Sequence, residues 1–193
     1  MREVHRMFNP GPDPLILAGL RVPFRDATSV RSAFAWAVAE HDAQVRKDGA
    51  RLIDHVVSVA RNVQRFAHET DLPDLLIAAL LHDLVENTRV PLSEVEARFG
   101  AQVATLIDAV TNREDESARD SAFRARDVGR DALLLRLCDR LDGIRRSPGR
   151  PTGKARKFLR ISREVHLPLA EEHFPEIADE MRATLEDAEA SLD

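Results

Sequence analysis

The sequence is poor in cysteine, in tyrosine and in long apolar runs. Its 193 residues include a single cysteine, Cys138, so no disulfide can form within the chain and a reducing compartment is expected. Tyrosine is absent and aromatic residues make up 5%, which argues against the base-stacking surfaces of single-strand nucleic-acid binders. The apolar run from Leu15 to Leu20 is too short for a signal-peptide core or a membrane span. We therefore expect a cytoplasmic protein that does not bind a membrane.

Charge is unevenly distributed along the chain. The net charge of −5 argues against nonspecific binding to nucleic acid. Basic residues are concentrated between 140 and 163, and acidic residues between 171 and 193. Two interpretations are open: the two runs are solvated faces that dock on each other, or the basic run, with Arg140 and Arg146, binds a phosphorylated small molecule. We expect a small phosphorylated nucleotide as partner and no nucleic acid, and a homo-oligomer stays open.

The pattern of prolines and apolar residues predicts an all-α protein. Pro10, Pro12, Pro14 and Pro23 rule out a long helix near the start, so we expect an extended arm over 1–28. Helical spacing predicts helices over about 29–47, 54–68, 73–87, 93–99 (with a Ser93–Glu96 capping box), 101–111 and 132–144, with others ending near 172 and starting at 175. We divide the chain into this arm, a domain over 29–175, and an acidic helix over 176–193 packed on that domain.

Three ionisable residues interrupt the most apolar segment of the chain. His82, Asp83 and Glu86 lie within LIAALLHDLVENT, residues 76–88, where unpaired polar groups would cost free energy. A metal ion would satisfy all three, since Glu86 lies one helical turn after His82. His55 and Asp139, each in another apolar helix, complete a nitrogen and oxygen ligand set. Such a set suits Mn²⁺, Fe²⁺ or Zn²⁺. The alternative for each residue alone is a satisfied core histidine, or an aspartate paired with Arg140.

Five blocks of sequence resemble one family. HDAQVRKDGARLIDHVVSVA, AALLHDLVENT, FGAQVATLIDAVT, LLLRLCDRLDGIR and EVHLPLA follow in the order found in RelA/SpoT-type alarmone hydrolase domains. The chain is similar to their small stand-alone members, the metazoan SpoT homologues, from about His41 to Ala170. The resemblance implies an HD-superfamily helical domain with a metal site between helices. It also implies Mn²⁺-dependent removal of the 3′-pyrophosphate of (p)ppGpp, or 2′-phosphatase activity on NADPH as in some small homologues.

The resemblance also assigns roles to individual positions. It implies that the metal ligands are His55, His82, Asp83 and Asp139. Glu86 matches the first member of a catalytic Glu-Asp pair, and Asn87 stands at the second. Arg46 and Lys47 match a pair that packs against the nucleotide base.

The chain departs from the family pattern at four positions. Asn87 replaces the second catalytic acid and cannot accept a proton as a carboxylate does. Asp142 and Gly143 replace His-Asn, and Arg146 replaces a Thr. We expect Asp142 to place negative charge beside the pocket. These changes leave metal binding in place and favour a second hypothesis, a catalytically weak nucleotide sensor that retains the metal.

Asp139 provides the sharpest test of the predicted metal site. Neighbours on a helix point about 100° apart, so Arg140 cannot easily pair with Asp139 while both leave the same face. We therefore expect Asp139→Asn, which conserves volume, to lower Mn²⁺ affinity sharply and to reduce hydrolase activity to background while the protein stays folded. Metal titration of the folded variant is the measurement. Mn²⁺ binding as tight as in the parent would mean that another residue is the fourth ligand.

Overall fold

The protein is a bundle of helices. The computed structural model describes residues 13–22, 26–46, 49–68 and 72–192. The helices are α1 (Pro14–Leu17), α2 (Ala27–His41), α3 (Leu52–Phe66), α4 (Leu72–Leu81), α5 (Leu84–Asn87), α6 (Leu92–Phe99), α7 (Ala101–Val110), α8 (Ala118–Val128), α9 (Arg130–Arg145), α10 (Thr152–Ile161), α11 (Leu167–His173) and α12 (Pro175–Ala190). Ser147–Gly149 form a 3₁₀ turn, and Ser162–His166 a π-helical segment between α10 and α11. The described residues contain no strand beyond one isolated bridge between Val45 and Arg51, which confirms the all-α prediction.

Helix α4 lies at the centre of the hydrophobic core. Every residue from Leu75 to Leu81 is buried, and α4 packs against α2, α3, α7 and α9. A helix that is apolar on all sides must be enclosed on all sides. This packing brings together the start of α3, the end of α4 and the middle of α9. In the part of the chain that is described, no helix is both long enough and apolar enough to cross a bilayer.

The single helix predicted over 73–87 is wrong, because α4 ends at Leu81. His82 and Asp83 form a turn, and the short helix α5 follows. The Nδ1 atom of His82 lies 2.8 Å from the carbonyl oxygen of Ala79, the acceptor that an uninterrupted helix would offer to the N–H of Asp83. Glu86, which is exposed, therefore lies in the separate short helix α5 and not in the helix that ends before His82.

One further local prediction needs correction, and one charged segment is resolved by the structure. Pro91 precedes α6 as its N-cap and no side chain caps that helix, so the predicted Ser93–Glu96 capping box is wrong. The charged segment from 111 to 131 holds both a loop and the helix α8, whose N-cap Ser117 accepts a hydrogen bond from the N–H of Asp120.

The basic and acidic runs contact each other. The acidic helix α12 packs on α9 and α11. Arg145 pairs with Glu180, and Arg163 Nη2 lies 2.7 Å from Glu189 Oε2. These contacts favour the docking interpretation, although exposed pairs of this kind contribute only about 0–1 kcal/mol each. The predicted boundaries at 28 and 175 stay predictions, and residues 1–12 and 23–25 of the proposed arm lie outside the described residues.

Gly143 packs directly against the aromatic ring of Phe158. A Cβ atom at this position would lie 2.7 Å from Phe158 Cζ, and the Phe158 ring is held between the guanidinium groups of Arg140 and Arg150, at 3.7 and 4.1 Å from its centroid. We expect Gly143→Ala to lower the free energy of unfolding by about 1–3 kcal/mol through overpacking, measured by chemical denaturation.

Gly153 in α10 provides a matched control for this substitution. A Cβ atom there would meet nothing within 4 Å, so Gly153→Ala should be neutral or stabilise the protein by up to about 1 kcal/mol. Equal destabilisation by both substitutions would show that contact with Phe158 is not the cause.

Candidate metal centre

Two buried histidines from different helices face each other. His55 lies in the first turns of α3 and His82 in the turn after α4, and they are 1% and 4% exposed. Their Nε2 atoms are 3.3 Å apart. The apolar face of α3 packs along α4, and this packing brings together two residues that are 27 positions apart in the sequence.

Asp139 completes a group of three candidate ligands. It lies on α9, with Oδ1 at 3.3 Å from His55 Nε2 and 4.0 Å from His82 Nε2. Each of the three residues offers one atom, and these atoms all lie within 4.8 Å of one another. Asp83 is adjacent to this group but outside it, with carboxylate oxygens at 3.7 Å from His55 Nε2 and 3.5 Å from His82 Nε2.

The hydrogen-bond partners of the two histidines direct their Nε2 atoms toward the cluster. A carbonyl oxygen only accepts, so the Nδ1 atom of His82 must donate its proton to Ala79. The Nδ1 atom of His55 likewise donates to Asp142 Oδ2, at 2.6 Å. In both rings the Nε2 atom is therefore left for a cation, in the arrangement typical of metal-binding histidines.

The spacing of these atoms fits a divalent ion. Nitrogen and oxygen ligands lie about 2.0–2.2 Å from such an ion, so neighbouring ligand atoms are roughly 3 Å apart and opposite ones roughly 4 Å. The three candidate ligands, with separations of 3.3, 3.3 and 4.0 Å, fall in this range. Two imidazoles and one carboxylate, with a second carboxylate adjacent, form a divalent-metal donor set.

The electrostatics of the cluster also favour a cation. Burial lowers the pKa of His55, but the hydrogen bonds that His55 donates to Asp139 and Asp142 and the charges of Asp139 and Asp83 outweigh burial and raise this pKa to about 9. Burial raises the pKa of Asp139, and the hydrogen bond and charge of His55 overcome it and hold this pKa below its ordinary value. The carboxylates therefore stabilise positive charge at the position where a metal ion would lie.

Glu86 is held by the loop that follows α7. Its carboxylate accepts hydrogen bonds from the backbone N–H of Asn112, at 3.1 Å, and from the Asn112 side chain, at 2.9 Å. The loop is anchored by Arg124, which donates to the carbonyl oxygens of Asp108 and Thr111 and pairs with Glu116. Glu86 is thus exposed but oriented.

The other predicted site residues lie in different surroundings. Arg46 Nη1 is 3.9 Å from Asp83 Oδ2, so Arg46 borders the cluster, whereas Lys47 lies outside the described residues. Asn87 is exposed, and Gln44 donates to its carbonyl oxygen. The roles predicted for these three residues stay predictions.

Arg140 and Arg146 already have partners within the protein. Arg140 donates to Ser162 Oγ and to the carbonyl oxygen of Phe158. Arg146 Nε lies 2.7 Å from Asp142 Oδ2. Substrate binding by either arginine would therefore require these contacts to break or to be shared.

Sequence reasoning missed the surroundings of the predicted ligands. Asp142 is only 2% exposed, and its carboxylate contacts His55, one of the predicted ligands, rather than solvent. Arg136, not Arg140, is the arginine near Asp139, with Nη1 at 3.6 Å from Oδ2. The spacing of three residues between Arg136 and Asp139 was the available signal, whereas the contact between Asn112 and Glu86 had no signal in the sequence.

Comparison with known proteins agrees with this geometry. Residues 33–173 match the HD-domain family. The chain is 37% identical over 128 residues to guanosine-3′,5′-bis(diphosphate) 3′-pyrophosphohydrolase MESH1 of Mus musculus, covering 62% of this chain and 70% of that protein. The Homo sapiens protein of the same name gives the same values.

A longer bacterial relative and a solved structure extend the comparison. The guanosine-3′,5′-bis(diphosphate) 3′-pyrophosphohydrolase of Aquifex aeolicus is 32% identical over 154 residues, which are 75% of this chain and 21% of that protein. The chain thus spans about a fifth of the length of the Aquifex protein. A solved structure of a metazoan SpoT orthologue, described as hydrolysing ppGpp, superposes with a TM-score of 0.72 at 22% identity, covering 86% of this chain and 97% of that one.

One assignment follows from the fold, from the paired histidines with Asp139, and from the extent of these matches. The chain belongs to the HD-domain family, in the group that contains the guanosine-3′,5′-bis(diphosphate) 3′-pyrophosphohydrolases.

Proposed function

We propose that the protein is a divalent-metal-dependent phosphohydrolase that removes the 3′-pyrophosphate from guanosine 3′,5′-bis(diphosphate), with Mn²⁺ as the metal. The observation that carries the proposal is the convergence of His55 Nε2, His82 Nε2 and Asp139 Oδ1 within 4.8 Å. The substrate is taken from the relatives that share 37% identity with the chain and are named for this reaction.

His55, His82 and Asp139, with Asp83 beside them, would hold the ion. A bound divalent ion makes water a better nucleophile near neutral pH and neutralises charge on the phosphoryl oxygens. The histidines would contribute their Nε2 atoms, which bind a cation in the neutral form of the ring, and the aspartates would contribute the negative charge that keeps a cation in the cluster. In the reaction, water attacks the phosphorus atom attached to the 3′-oxygen. The bond from phosphorus to that oxygen breaks, and the 3′-hydroxyl and pyrophosphate are released.

Glu86 is the residue that we assign to proton transfer. It is exposed, so a substrate or a water molecule can reach it, and Asn112 fixes its carboxylate through two donors. A carboxylate positioned in this way can accept a proton from the attacking water and return it to the leaving oxygen. Arg46, at the border of the cluster, and Lys47 are the residues that we assign to nucleotide binding.

A second candidate function is a nucleotide sensor that binds the metal and its nucleotide but turns over slowly. The observation that favours it is Asn87, which stands next to Glu86 and is exposed. Its amide can donate and accept hydrogen bonds, but it has no carboxylate to take up a proton. The sensor would therefore keep the metal cluster intact while lacking one acid beside it.

The direct test of the first proposal uses the purified protein with ppGpp. We expect pyrophosphate release with Mn²⁺, loss of release on chelation with EDTA, and recovery on adding Mn²⁺ again. His82→Ala is the control, because it removes one Nε2 donor. A parallel assay measures phosphate released from NADPH. Turnover of ppGpp no higher than in His82→Ala, with metal bound to the parent, would remove ppGpp as the substrate.

The substitution Asn87→Asp separates the enzyme from the sensor. If the missing acid limits turnover, we expect the rate with ppGpp to rise about 100-fold or more, in the range typical of a positioned proton-transfer group. Asn87→Ala, which removes the amide without supplying an acid, should give no gain. A lower rate in Asn87→Asp would show that Asn87 belongs to a working active site and would count against the sensor.

A further inference from the structure

We propose that Asp142 is the positioning residue for metal binding in this chain, acting through His55, and that Arg146 supports metal binding by holding Asp142. The inference rests on the proposed function only in taking His55 as a ligand. Asp142 itself faces away from the ion, because its contact is with the opposite nitrogen of the His55 ring.

The geometry of the Asp142–His55 pair carries the first step. Asp142 Oδ2 lies 2.6 Å from His55 Nδ1, and the two side chains are 3% and 1% exposed. An ionised carboxylate only accepts hydrogen bonds, so a proton lies on Nδ1, and the neutral form of the ring, which is the form that binds a metal, presents its Nε2 lone pair to His82 and Asp139. Asp142 thus selects the ring form and the ring orientation that a metal ion requires.

The two histidines differ in the strength of this support. His82 donates to a backbone carbonyl oxygen, that of Ala79, whereas His55 donates to a charged carboxylate. A carboxylate partner makes the imidazole a stronger donor to a metal than a neutral carbonyl does. We therefore infer that affinity depends more on the Asp142–His55 contact than on the contact between His82 and Ala79.

Arg146 compensates the negative charge of the buried Asp142 carboxylate. It lies one helical turn after Asp142 and its Nε is 2.7 Å from the same Oδ2 atom that accepts from His55. Arg146 Nη2 also reaches the carbonyl oxygen of Asp54 on α3, at 3.4 Å. A buried carboxylate is tolerated when its charge is compensated and its lone pairs are used. Asp142 and Arg146 therefore form a charge-compensated pair.

The experiment measures metal affinity directly, so it does not depend on turnover. Zn²⁺ and Mn²⁺ are titrated in competition with a chelator into the parent, Asp142→Ala and Asp142→Asn, with thermal unfolding of each metal-free protein as the check on folding. We expect Asp142→Ala to weaken binding about 10- to 100-fold. Asp142→Asn should fall between parent and Ala, because an amide oxygen accepts without a full charge. Asp108→Ala, which removes an exposed partner of Arg113, is the control and should leave affinity unchanged.

Arg146→Met tests the second half of the inference. If Arg146 acts through Asp142, it should weaken metal binding in the parent but have no further effect in the Asp142→Ala background. Independent, additive losses from the two substitutions would show that Arg146 does not act through Asp142.

Nuclear magnetic resonance of the Zn²⁺-loaded protein reports on the His55 ring itself. It therefore tests the inference even if Asp142→Ala fails to fold. In the parent, the imidazole proton should lie on Nδ1 with the signature of a short hydrogen bond, and that signature should weaken in Asp142→Asn. A parent that binds metal while Asp142→Asn and Asp142→Ala bind it equally tightly overturns this inference and leaves the proposed function standing. A parent that binds no metal overturns the proposed function instead.

Discussion

The structure depends on the burial of His55 between two carboxylates. Asp139 lies at one nitrogen of the ring and Asp142 at the other, and both come from the same helix, α9. Removing these groups from water is costly unless opposite charge is close by. The shared positive charge on and around His55 meets this requirement, and it connects α3 to α9 at the point where α4 ends.

Several arginines around the cluster act in packing rather than as free cations. Arg136 is 6% exposed and donates to the carbonyl oxygen of Val110 and to Ser121 Oγ, so it ties α9 to α7 and α8. Arg124 anchors the loop that carries Asn112. Arg140 joins α9 to α10 and to the π-helical segment through Phe158 and Ser162. Of the basic run over 140–163, Arg140 therefore serves to hold helices together near the candidate metal centre.

The departures from the family pattern in α9 have structural explanations in this chain. Asp142 pairs with His55 and Arg146, so its charge is not directed at substrate. Gly143 leaves room for the ring of Phe158, because a Cβ atom at this position would lie 2.7 Å from Phe158 Cζ. Asn87, by contrast, lies exposed, and its carbonyl oxygen accepts a hydrogen bond from Gln44. The substitutions in α9 therefore concern the contacts of His55 and the packing of Phe158, whereas turnover is what the proposed function connects with Asn87.

The sequence by itself determined the helical class and the residues able to bind metal. Helical periodicity is a local property, and acids and histidines inside apolar helices such as those around His82 and Asp139 are visible without a fold. The local pattern did not predict that α4 ends at Leu81, where the His82 side chain competes with the backbone for the carbonyl oxygen of Ala79. The periodicity of the apolar run does not signal this helix end.

Only the tertiary structure decided which groups support the candidate ligands. Asp142 and Asn112 act on His55 and Glu86 from 87 and 26 positions away in the chain. Such contacts are set by how α3, α5 and α9 pack, because the angle and separation between helices decide which polar atoms meet. The residue types were therefore readable in the sequence, whereas the proton positions and the pairing of charges were fixed by the packing.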